Sequence, residues 1–143
     1  MPKGDIKICL EEAEAFLSIA EERIERQELV GLTTQIYPIV VNAAFSCELS
    51  LKAILMTRSV NGEYPSRHRL KTDLFEKLPA QDQEEIRRRS NAVLSIGFAD
   101  ALDEFNDAFC QWRYALENGV DIHYEELVAF AGILLNYSRE LIS

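Results

Sequence analysis

Residues 38–58 read PIVVNAAFSCELSLKAILMTR, and this one stretch constrains the fold more than any other. Wound at the helical period, Val40, Val41, Ala43, Ala44, Phe45, Cys47, Leu49, Leu51, Ala53, Ile54, Leu55 and Met56 fall on nearly every side. A helix that is apolar all round has no face for water, so the rest of the chain has to wrap around it. The 143 residues contain only 6 Gly and 4 Pro, too few turn formers for many short strands, and 48% hydrophobic residues, enough for one core. The expectation is a single all-α domain over residues 1–143. It is drawn as an antiparallel bundle of four long helices with one or two short connecting helices.

Apolar spacing places the other elements. A first helix is expected from about Asp5 to Leu29, with Leu10, Ala13, Leu17, Ala20 and Ile24 on one face and a run of glutamates on the other. Gly31 and Thr33-Thr34 interrupt it, and Pro38 fits only the opening turn of the central helix, which runs to about Val60. Asn61-Gly62 and Pro65 make a loop. A short helix follows from about Leu70 to Leu78, stopped by Pro79, and another from Ala80 towards Ile96. Phe98, Leu102, Phe105, Phe109, Trp112 and Leu116 then form the clearest stripe of the chain, closed by Asn118-Gly119. The last helix spans about Tyr124 to Ile142, with Asp121 as its cap.

Charge and cysteine usage exclude several classes of function. The net charge is -9, but residues 58–89 hold eight basic and six acidic groups, while 90–143 hold two basic and nine acidic. Only that middle segment, with Arg58, Arg67, Arg69, Lys71, Lys77 and Arg87-Arg88-Arg89, attracts an anion, and the molecule as a whole repels a long polyanion. Glu84 and Glu85 beside the arginine run make a solvated, self-paired helix surface its plainer reading. Cys9, Cys47 and Cys110 are odd in number and sit in apolar patterns, as reduced thiols of a cytoplasmic protein do. No signal-peptide pattern or uninterrupted membrane-length apolar run is read, so a membrane partner is not expected. There is no phosphate loop, no serine-hydrolase elbow, and no Cys or His pairing with metal-ligand spacing, so no cofactor or metal is expected.

Two charges stand out in the apolar helix. Glu48 and Lys52 are four apart in the favoured order, a spacing that stabilises an exposed helix by only about 0.2–0.5 kcal/mol. In a buried helix they have to reach solvent, a partner or a ligand, because an unpaired buried charge is costly. A structural ion pair joined by Arg113 is the plainer of these alternatives. Beyond them comes His68, whose plainer role is to pack or cap the short helix after it, and then Leu70, Leu74, Phe75, Leu78 and Pro79.

This combination, AAFSCELSLKAILM followed by His68 and the spaced leucines, resembles the HEPN superfamily over about residues 34–80. The FNDAFCQWRYALENG stretch looks like the helix that carries a functional Arg there. The resemblance implies a four- or five-helix bundle, usually a homodimer, of prokaryotic defence or toxin–antitoxin systems. Its partners would be an antitoxin or a minimal nucleotidyltransferase, and RNA or a nucleotide its ligand.

Many such domains are metal-independent ribonucleases, in which an Arg, a polar residue and a His four to six residues after the Arg meet across the dimer. The corresponding pair here is Arg113 and His123, with nine residues between them and Tyr114 where the polar residue stands in the family. A His would move the ribose hydroxyl proton and an Arg would stabilise the phosphate charge. The resemblance thus gives Arg113 and His123 as catalytic candidates. Glu48, Lys52, His68, Tyr114 and Glu117 are candidates for a ligand site or interface. Because the pair departs from the family spacing, the reading placed first is a homodimeric binding or regulatory module, and the endoribonuclease is its alternative.

Overall fold

The computed structural model of the chain describes residues 5–30, 36–107 and 123–142. Among them every regular element is helical: α1 (Ile6–Val30), α2 (Ile36–Arg58), α3 (Ala80–Val93), α4 (Phe98–Phe105) and α5 (Tyr124–Ile142). Between α2 and α3, a single π-helical turn (Leu70–Leu74) runs into a 3-10 turn (Phe75–Lys77).

The apolar-all-round helix is central. Ser50 to Met56 of α2 are buried without a break, so every side of that stretch is covered. Among the described helices α2 alone is long and apolar enough to cross a membrane, and most of that length is buried within the protein. Its main neighbours are α1 and α5. The Ser46 hydroxyl donates to the Ala13 carbonyl at 2.7 Å, and the rings of Phe16 and Phe45 stack at 5.0 Å. These contacts set rising numbers on α1 against falling numbers on α2, so the two helices run antiparallel. Buried Ala13, Ala20, Ala43 and Ala44 leave room for so short a side chain to bridge the backbones. Tyr124 to Gln27 and Arg139 to Glu14 set α5 antiparallel to α1 in the same way, which makes α5 parallel to α2.

Pro38 sits in the first turn of α2, where its missing N–H breaks no helical bond, and the Asn42 amide donates to its carbonyl at 2.7 Å. Three expected boundaries shift for identifiable reasons. Leu70–Leu78 is not an α-helix: one widened turn followed by one tightened turn brings Leu70, Leu74, Phe75 and Leu78 all into the core. α3 stops at Val93, because Leu94 leaves the helix in extended conformation to bury its side chain. The stripe from Phe98 keeps helical form only to Phe105, and Asn106 and Asp107 form a turn; its continuation lies outside the described residues.

Asn106 accounts for that last break. Its backbone oxygen accepts from the Leu70 amide at 3.1 Å, and its side-chain oxygen accepts from the amides of Lys71 at 2.9 Å and Thr72 at 3.0 Å. One asparagine therefore satisfies the open N-terminal donors of a turn more than thirty residues away. Gly97, with φ +82, makes the corner into α4 that a side chain would strain, and the Asn91 side chain accepts from the next amide, that of Phe98, at 2.8 Å.

Candidate functional site

Glu48 and Lys52 lie on the buried part of α2, each only 6% exposed. Burial at that level demands partners, and the connection after α2 supplies them. Lys52 Nζ lies 3.4 Å from Glu48 Oε2, His68 Nδ1 lies 2.8 Å from Glu48 Oε1, and the ammonium sits 5.2 Å from the centre of the Tyr64 ring. The carboxylate is thus shared between a lysine of its own helix and a histidine twenty residues on. The Lys52 charge is also met by an aromatic face. His68, half exposed, does not cap the turn that follows; Asn106 does. Cys9 of α1 feels the charges of Lys52 and Glu48, but burial first, and Glu12 beside it, push its thiol above the ordinary range and leave it a poor nucleophile. Burial likewise pushes the Cys47 thiol up.

The connection alternates. Tyr64 packs on the core and His68 reaches Glu48, while Glu63, Pro65 and Arg67 line an open cleft. Tyr64 on the core and His68 on Glu48 thus anchor to α2 the same connection that forms one wall of the cleft. The opposite wall comes from Thr72, Asp73 and Lys77 of the short turns, and Leu55 and Arg58 of α2 also contribute. The cleft measures about 660 Å³.

Arg58 is held from behind. Its Nε and Nη2 donate to the two carboxylate oxygens of Asp82 at 2.8 and 2.7 Å, and the Tyr137 hydroxyl of α5 donates to the same carboxylate at 2.6 Å. Asp82 is fully buried in the first turn of α3, so its charge depends on this fork. Burial, followed by the hydrogen bond to Asp82, pushes Tyr137 up to about 12, and Asp82 raises Arg58. Neither Asp82 nor Tyr137 was visible as a site residue in sequence. Asp82 reads there as a helix-start acid and Tyr137 as one more aromatic on the last helix.

The basic middle segment resolves residue by residue. Arg58 is paired with Asp82, Arg69 with Asp107, Lys71 with Asp103, Arg87 with Glu84, Arg88 with Glu85, and Arg89 with Glu85 and Glu140. The arginine run is self-paired, as its neighbouring glutamates led one to expect. Hydrogen bonds from Arg88, then Arg89, hold Glu85 down at about 2. Arg67 and Lys77 have no carboxylate partner among the described residues, and both line the cleft.

His123 stands elsewhere, immediately before α5. Its Nδ1 lies 2.6 Å from Glu104 Oε1, and its amide donates to Glu104 Oε2 at 3.0 Å. With Ser95, Glu125 and Glu126 it lines a second opening of about 550 Å³. The structure brings Glu48, Lys52 and His68 together and leaves His123 outside that group. Arg113, Tyr114 and Glu117, expected to join one or the other, lie outside the described residues, as does the Asp121 cap. No His, Cys, Asp and Glu cluster among the described residues could hold a metal ion.

Compared with models of protein families, with curated proteins and with solved structures, the chain matches none. Fold and site therefore define its class in structural terms. Among the described residues it is an all-helical fold in which a buried Glu48–Lys52 pair, joined by the half-exposed His68, backs an open, mixed-charge cleft.

Proposed function

We propose that the chain is a HEPN-like four-helix antiparallel bundle, homodimeric and cytoplasmic, that serves a prokaryotic defence or toxin–antitoxin type system by binding rather than by cutting RNA. The observation that carries this reading is the surroundings of His123. Its Nδ1 and its amide both meet Glu104, and Glu125 and Glu126 line the same opening. Three carboxylates repel a phosphodiester where a ribonuclease would need to collect one. The Glu48–Lys52–His68 clamp fits a module whose task is to hold a surface in place, and its partner would be an antitoxin or a nucleotidyltransferase.

One feature favours the second reading, a metal-independent endoribonuclease using Arg113 and His123. A carboxylate on Nδ1 is how many enzymes orient a histidine base. The test is incubation of the purified chain with single-stranded RNA in excess chelator, beside Arg113→Ala and His123→Ala. No cleavage by any of the three is expected. Metal-independent cleavage that both substitutions abolish would establish the nuclease instead, and sedimentation of a monomer at all concentrations would remove the homodimer.

A further inference from the structure

We propose that the cleft walled by the 63–67 connection and the short turns binds a small phosphomonoester, of the sugar-phosphate or nucleoside-monophosphate kind, through Arg58, Arg67 and Lys77. The inference deepens the binding-module reading and rests on it for its relevance, though not for its geometry.

The argument begins from the sorting of cations. Six of the eight Arg and Lys residues from 58 to 89 are committed to carboxylates, and the two with no carboxylate partner among the described residues, Arg67 and Lys77, open onto one cleft. Arg58 joins them there with its guanidinium plane already fixed by Asp82, so its outward N–H groups are preorganised at no further ordering cost. The N–H groups of Arg58 left over from Asp82, a second guanidinium and an ammonium are donors of the kind that the terminal oxygens of a phosphoryl group accept from. The Ser59 hydroxyl oxygen already accepts the Asn61 and Glu63 amides, which leaves its proton to give.

Charge sets the upper limit. Three cations, Arg58, Arg67 and Lys77, face two carboxylates, Glu63 and Asp73, in the same cleft, a net of one positive charge, so the lining balances no more than a single phosphomonoester, which carries ~1.5–2 negative units. A polyphosphate or a nucleic-acid strand would bring further phosphates against those carboxylates and against a molecule of net charge -9. The remainder of the wall fits an organic body. Leu55, Pro65 and Pro79 are apolar, the prolines present flat rings, and Glu63 can accept from a sugar hydroxyl or an exocyclic amine. About 660 Å³ lies within the range usual for small-molecule sites.

Isothermal titration of the full chain with AMP, ribose 5-phosphate, inorganic phosphate and adenosine tests the site. Saturable one-site binding is expected for AMP or ribose 5-phosphate, at least tenfold tighter than for adenosine or inorganic phosphate. Arg67 and Lys77 are exposed, so Arg67→Gln and Lys77→Gln should leave thermal unfolding unchanged while each weakens binding about tenfold. Arg88→Gln, which disturbs only a surface pair with Glu85, should not change it. The proposal is overturned by the absence of saturable binding to either organic phosphate, by equal affinity for inorganic phosphate, or by a double Arg67/Lys77 variant that binds like the wild type. RNA cleavage lost with His123→Ala, beside intact AMP binding, would sink the binding-module reading and leave this site standing; absence of both cleavage and phosphate binding would sink the site alone.

Discussion

At the scale of single residues, the buried charges decide the most, because each has few partners and nowhere else to go. Glu48 holds both Lys52 and His68, so Glu48→Ala strands a buried ammonium and is expected to cost about 3–5 kcal/mol in urea unfolding. Lys52→Met leaves Glu48 its histidine and should cost clearly less; equal losses would show that the clamp is not organised around the carboxylate. Tyr137 offers a second test, with its sign fixed by the direction of its shift. Its folded value, about 12, lies above the ordinary ~10 of a tyrosine, so its contribution is complete below pH ~10 and is lost as pH rises towards 12. Stability should fall over that alkaline range in the wild type and fall less in Tyr137→Phe, followed by circular dichroism. At neutral pH that variant should be weaker by about 1.5–3 kcal/mol, since Asp82 loses a charge-assisted bond.

At the scale of elements, what the sequence made legible was periodicity, and what it hid was long-range satisfaction of polar groups. The bounds of α1, α2 and α5 follow from apolar spacing to within a residue or two of expectation. The π and 3-10 turns do not, since their shape depends on fitting four apolar side chains into a core built by other helices. Asn106 is the sharpest case. In sequence it lies between the stripe residues Phe105 and Phe109 of what reads as one continuous helix, and nothing local reveals that residues 70–72 will draw its oxygens away. Asn106→Ala would leave the amides of Lys71 and Thr72 without their acceptor, and a loss of about 1–2 kcal/mol is expected, in the range of a lost helix cap. Faster amide exchange should be confined at first to residues 70–74; exchange unchanged there would refute the capping role. For the site, the pairing of Glu48 and Lys52 was visible from their spacing and that of His68 was not, because the chain between 58 and 68 has no regular period. The cleft was legible only as a basic segment. Which of its cations remain unpaired depends on acids from α3, α4 and α5.

At the scale of the whole molecule, three long helices share one core, and the connections differ greatly in reach. α1 and α2 are neighbours in sequence and touch along their length, whereas α5 meets α1 through Tyr124 and Gln27, 97 residues apart. Contacts that close short loops form early and those that close long ones form late. The parallel seating of α5 against α2 therefore has a kinetic consequence: it is the step at which the core is sealed. Leu51 and Leu134 are both fully buried, and truncating either to alanine should cost about 2–5 kcal/mol. In stopped-flow measurements Leu51→Ala is expected to slow folding, and Leu134→Ala to act mainly by hastening unfolding. The reverse pattern would mean that the last helix nucleates the fold. If the expected order holds, a chain still emerging during synthesis carries an α1–α2 hairpin with one long flank uncovered until α5 arrives, and that interval is when it is most exposed to mispairing with another copy of itself.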